Sequence, residues 1–123
     1  MMEKGNISNT ARHTLTQETP SADMIDAMVR RIVDEVHPKR IVLFGSAARG
    51  DLQPHSDLDL LIVMPEGIHR RQTAQRIYRS LAGLGCSKDI VVVTEDDVRR
   101  YADDPSLVVN PALREGKELY GAV

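Results

Sequence analysis

Ile41-Val-Leu-Phe-Gly-Ser-Ala-Ala-Arg-Gly-Asp-Leu-Gln-Pro-His-Ser-Asp-Leu-Asp-Leu-Leu-Ile-Val63 carries the two features that decide the fold. An apolar run ends in Gly45-Ser46, and a second apolar run begins with Asp57-Leu-Asp59. Strand side chains alternate between faces, so residues two apart point the same way, with Cα atoms about 6.5–7 Å apart. Asp57 and Asp59 are therefore expected to project together, with Leu58 and Leu60 on the opposite side. Two carboxylates that close repel and raise each other's pKa unless a cation sits between them. An oxygen-only donor set suits a hard divalent ion, Mg²⁺ first.

Working outward, Met24, Ile25, Met28, Val29, Ile32, Val33 and Val36 recur at helical spacing. Thr19-Pro20-Ser21 supplies a cap and a first-turn proline, and His37-Pro38 ends the helix. Arg40–Phe44 has no polar alternation, as expected of a strand covered on both faces. Asp57–Met64 is the second strand, and residues 69–82 form a helix with Ala74, Ile77, Tyr78, Leu81 and Ala82 on one face. Its Arg70, Arg71, Arg76 and Arg79 read as the solvated side. Lys88–Val93 is a third strand. Thr94 looks like an N-cap, with Glu95, Asp96 and Asp97 in the first turn that follows. Residues 110–120 give a short helix stopped by Gly116 and a last extended Leu119-Tyr120. The connection from Gly45 to Ser56 is too short for a full crossover helix, so the first two strands are not a βαβ unit and the sheet is expected to be mixed. The fold class is α/β, with helices flanking a mixed β-sheet. Residues 1–18 read as a flexible polar tail and 19–123 as one domain.

Sixteen basic and eighteen acidic residues give a net charge of −2, which argues against a dedicated nucleic-acid binder. One Phe, three Tyr and no Trp require an aliphatic core. The single Cys86 cannot form an intramolecular disulfide, and it reads as a small buried residue. No apolar stretch approaches membrane-spanning length, so no membrane association is expected and the cytoplasm is the expected compartment. His13, His37, His55 and His69 lack paired metal-ligand spacing, which disfavours zinc.

Asp89 is a third candidate acid. It opens the third strand with Val91 and Val93 on its own face, where an unpaired charge is costly. Gly45-x-x-x-x-Gly50 invites comparison with a Walker A loop, but Asp51-Leu52 stand where Lys-Ser/Thr are needed.

Gly-Ser, an interval of ten residues and Asp-x-Asp, flanked by apolar strands, resembles the signature of the DNA polymerase β-type nucleotidyltransferase superfamily. Gly45-Ser-Ala-Ala-Arg-Gly50 and Ser56-Asp-Leu-Asp-Leu-Leu-Ile-Val63 are most similar to its minimal nucleotidyltransferase (MNT) members. The resemblance covers roughly residues 22–121 by motif order and spacing. It implies a single small nucleotidyltransferase domain in which Asp57, Asp59 and Asp89 are catalytic and hold two Mg²⁺ ions. It makes Gly45 and Ser46 the cradle for a nucleoside triphosphate, with ATP as substrate. Arg49 either adds charge at the phosphates or pairs with Asp51. The resemblance also implies a separately encoded helical HEPN protein as partner, a toxin to whose tyrosine AMP is transferred. Two alternatives stand beside it. One is transfer to a small hydroxyl compound such as an aminoglycoside, in a pocket completed by homo-oligomerisation. The other is a nucleotide-binding module without turnover.

Overall fold

In a computed structural model of the chain, residues 21–45, 48, 57–101 and 109–122 are described. The helix expected after Pro20 runs Ala22–Val36 (α1), with Ser21 as its N-cap: the Ser21 hydroxyl accepts from the Met24 N–H at 3.1 Å. It ends at His37, which turns left-handed (φ 51°) while its N–H still donates to the Val33 carbonyl. Pro38, lacking an N–H, prevents the helix from continuing.

Strands β1 (Arg40–Phe44) and β2 (Leu58–Met64) pair antiparallel, from Arg40↔Val63 to Phe44↔Asp59. Helix α2 (Arg70–Ser80) then crosses over to β3 (Lys88–Thr94), which lies parallel to β2. Helix α3 (Glu95–Tyr101), helix α4 (Val109–Glu115) and strand β4 (Lys117–Gly121) complete the described chain. Strand β4 pairs antiparallel with β1, with an irregularity between Ile41 and Val42. The sheet order is β3-β2-β1-β4. The expected mixed sheet is present, with one parallel and two antiparallel pairings. The polar stretch 1–18 lies outside the described residues.

Alternation along the strands divides the core. On one face Ile41, Leu43, Leu58, Leu60, Ile62 and Ile90 pack under Met28, Ile32 and Val36 of α1 and Ile77 of α2. On the other, Val42, Leu61, Val63 and Val93 meet Ala112 of α4, with Val98 of α3 alongside. Each fully buried aliphatic side chain contributes about 1.5–3 kcal/mol, so the α1 stripe anchors the first face without aromatic residues. Gly116 stops α4 because a Cβ there would collide with the Ala112 carbonyl and lie 2.5 Å from Val42 Cγ1. Only a residue without a side chain lets the helix exit that close to β1. Among the described residues no helix is long and apolar enough to cross a membrane.

Two arginines lie on the exposed side of α2, as expected, and also pair with neighbouring helices. Arg76 donates from Nε to Glu35 Oε2 (3.1 Å) and from Nη2 to the Glu35 carbonyl (2.6 Å), tying α2 to α1. Arg70 holds Asp97 of α3 with two hydrogen bonds of 2.8 Å. His69 caps α2, its Nδ1 accepting from the Gln72 N–H at 3.2 Å, so the helix starts one residue later than the spacing suggests. At its other end Arg31 Nη1 donates to the Ser80 and Ala82 carbonyls, where a cation complements the helix dipole.

Candidate functional site

The mixed pairing brings Gly45, Asp59 and Asp89 to one end of the sheet. Phe44 faces Asp59 across β1 and β2, so Gly45 is the first residue beyond that pair. Its φ is +74°, a left-handed backbone that side chains resist. A Cβ at Gly45 would also strike Asp59 Oδ2 and sit 3.2 Å from Asp59 Cγ. The missing side chain therefore gives the Asp59 carboxylate its place over the turn. Within that turn the Ala48 N–H donates to the Gly45 carbonyl at 3.2 Å. Ser46 and Arg49, the other residues expected at the phosphates, lie outside the described residues.

Asp59 and Asp89 are direct partners in the parallel β2–β3 pairing, where neighbouring strands run about 4.8 Å apart. Asp59 shares its face with Leu61 and Val63, and Asp89 shares that face with Val91 and Val93. Asp57 lies just before β2, exposed like Asp89, whereas Asp59 is half-buried. Burial, then the charge of Asp89, then that of Asp57 raise the Asp59 pKa above its ordinary value of 3.8. Among the described residues none of the three carboxylates has an ion-pair partner. Nor do three acidic, histidine or cysteine side chains among them form a closed ligand set. Asp59 and Asp89, opposite each other and without an ion-pair partner among the described residues, are hard oxygen donors of the kind a divalent ion takes.

The remaining candidates have structural duties. Thr94 and Asp97 form a reciprocal cap: the Asp97 N–H donates to Thr94 Oγ1 (3.1 Å) and the Thr94 N–H to Asp97 Oδ2 (3.0 Å). Burial works against the Asp97 charge, but hydrogen bonds from Thr94 and the Arg70 guanidinium prevail and lower its pKa. His37 and His69 are helix caps, Cys86 is buried, and His13 and His55 lie outside the described residues. A cavity of about 370 Å³ lies on the same sheet face but at the opposite end, lined by Lys39, Arg40, Val63, Glu95, Val98 and Arg99. Arg40 and Arg99 there are already paired with Glu118 and Asp96. Sequence reasoning put Tyr78 on the apolar face of its helix. In the structure the residue is 42% exposed and its hydroxyl accepts from the Ile90 N–H at 2.9 Å. No local pattern signals that bond.

A family model for the nucleotidyltransferase domain matches residues 26–116. The bifunctional uridylyltransferase/uridylyl-removing enzyme of Bordetella pertussis is 31% identical over 119 residues, a match that takes in 86% of this chain and 14% of that protein. Its namesake from Burkholderia thailandensis is 32% identical over 85 residues, covering 67% of this chain and 10% of that protein. The chain thus spans about one seventh of the length of the Bordetella relative. Two solved structures share the fold. A toxin-antitoxin structure with AMP-PNP has a TM-score of 0.54 at 22% identity, covering 79% of this chain and 73% of that one. A mutant form of the toxin-antitoxin MntA-HpeT has a TM-score of 0.51 at 18% identity, covering 84% and 75%.

Proposed function

The chain belongs to the nucleotidyltransferase domain family, and from that premise we propose that it moves AMP from ATP to a hydroxyl group of a partner protein, with Mg²⁺. The observation that carries the reading is the register pair Asp59–Asp89, with the Asp59 carboxylate seated over Gly45. Asp57 and Asp59 would hold both ions, and Asp89 the one on the acceptor side. Bound there, the ions would supply charge stabilisation to the attacking and leaving oxygens of an in-line displacement. The chain itself positions the groups. Gly45 keeps the turn open to the triphosphate, while Ser46 and Arg49 would grip phosphate oxygens. The acceptor oxygen bonds to the α-phosphorus, the bond to the bridging oxygen breaks, pyrophosphate leaves and the hydroxyl proton passes to solvent.

The acceptor is proposed as a tyrosine of a HEPN-type toxin. In-line transfer requires a placed nucleophile, and a docked protein surface can place one. The two fold neighbours are toxin-antitoxin structures, one with an adenine nucleotide analogue. The reading places the protein in the cytoplasm with its nucleotide. A second reading, UMP transfer from UTP, is favoured by the relatives of 31% and 32% identity, which are uridylyltransferases.

One experiment separates these. The protein is incubated with Mg²⁺, the protein encoded beside it, and each of the four α-labelled nucleoside triphosphates in turn. Label from ATP on a tyrosine of the partner, absent with Asp59→Asn, is the expected result. Label from UTP alone selects the second reading. No label, with turnover on an aminoglycoside or another small hydroxyl compound, removes the toxin-antitoxin reading and keeps the transferase. No turnover with any acceptor leaves a binding module.

A further inference from the structure

Strand β3 carries Asp89 at the edge of the sheet, paired on one side with β2. Asp59 and Asp89 stand opposite each other in that pairing, and like charges placed so push the strands apart. The push falls on the edge strand. From the inner side its start is held by the Leu58 N–H, which donates to the Ser87 carbonyl at 3.0 Å. From the outer side two amides four residues apart are tied to side chains. The Ile90 N–H donates to Tyr78 Oη at 2.9 Å, and the Thr94 N–H donates to Asp97 Oδ2 at 3.0 Å. The Thr94 tether belongs to the start of α3. The Ile90 tether is adjacent to Asp89, and it comes from α2, a helix rooted by buried Thr73 and Ile77. Tyr78 is also 42% exposed, so burial of its ring does not account for the hydroxyl's position.

We infer that Tyr78 is a positioning residue for Asp89, its hydroxyl holding the edge strand so that the Asp89 carboxylate stays opposite Asp59. The inference rests on the metal-holding role given to those two acids above. Tyr78 does not touch substrate; it fixes the strand that presents the third acid.

Tyr78→Phe keeps the ring and removes the acceptor oxygen. The whole chain is titrated with Mn²⁺ alone, followed by the relaxation of solvent protons, and amide exchange is read at Ile90. Tyr78→Phe is expected to weaken Mn²⁺ binding about threefold to tenfold, the range that one hydrogen bond supplies, and to speed Ile90 exchange similarly. Its melting temperature is expected to fall by a few degrees, the share of one hydrogen bond. Arg76→Ala, which unties α2 from Glu35 without touching β3, is expected to lower the melting temperature while sparing Mn²⁺ affinity. Should the Phe variant not fold, Tyr78→Trp carries the same expectation, since indole offers a donor and no acceptor. Unchanged Mn²⁺ affinity in Tyr78→Phe overturns the inference. So does a loss of affinity that merely follows melting temperature across all variants. Asp59→Asn separates the two levels: if it binds Mn²⁺ like the unaltered chain, the metal reading itself fails, whatever Tyr78 does.

Discussion

Asp59 is the residue at which stability and the proposed chemistry oppose one another. Its raised pKa means that the folded chain binds this proton more tightly than the unfolded chain does. The ionised carboxylate therefore destabilises the fold above its folded pKa, and the cost fades as pH falls towards the ordinary 3.8. Asp59→Asn should accordingly raise the melting temperature at pH 7 in metal-free buffer, with the gain shrinking towards pH 4, while abolishing transfer. Thermal melts across that pH range check it; a lower melting temperature at pH 7 would contradict the electrostatic account. Gly45→Ala meets two penalties, a left-handed backbone and a Cβ driven against Asp59. The expected loss is about 1–3 kcal/mol of stability, measured by urea unfolding, together with loss of nucleotide transfer. That the charge of Asp57 bears on Asp59 was legible in sequence, because residues two apart along a strand share a face. The seating of Asp59 on Gly45 was not, since it depends on the β1–β2 register.

At the scale of elements, caps and stripes were readable and long-range pairings were not. Ser21, Thr94 and Gly116 act as their local contexts suggest, because capping is settled within a few residues. Arg70 and Arg76 looked like solvated helix residues; their partners Asp97 and Glu35 lie 27 and 41 residues away. No periodicity carries that information. Asp97 gathers a cap and an ion pair in a buried position, so Asp97→Ala should cost about 1–2 kcal/mol through the cap alone. Because its pKa is lowered, this stabilisation is present above the ordinary carboxylate range and is lost as pH falls through the folded value. The difference in unfolding free energy between the unaltered chain and Asp97→Ala should therefore narrow below about pH 4. In α1, Ile32 is fully buried, and Ile32→Ala should cost about 2–5 kcal/mol. Chemical denaturation of both variants tests these magnitudes.

For the molecule as a whole, the α/β class followed from the order of helices and strands, and the mixed sheet from the short Gly45–Ser56 connection. The strand order did not, since nothing local says that β4 returns to pair with β1. A ligand that binds only the folded chain stabilises it by about 2.7 kcal/mol at one hundred times its dissociation constant. Mg²⁺ with ATP should therefore raise the melting temperature, chelation should reverse the shift, and Asp59→Asn should show neither effect. The parallel pairing of β2 with β3 has a consequence in time. Asp59 and Asp89 are brought opposite each other only after the chain has passed through α2 and back to the sheet, whereas α1 and α2 are built from neighbours in sequence. Non-local pairing closes a long loop before its contacts reward it, and so it forms slowly. During refolding, helical signal can return before the carboxylates are assembled, but Mn²⁺ binding cannot. On the proposed reading, Mn²⁺ binding would therefore report the β2–β3 pairing during refolding, after the helices have returned.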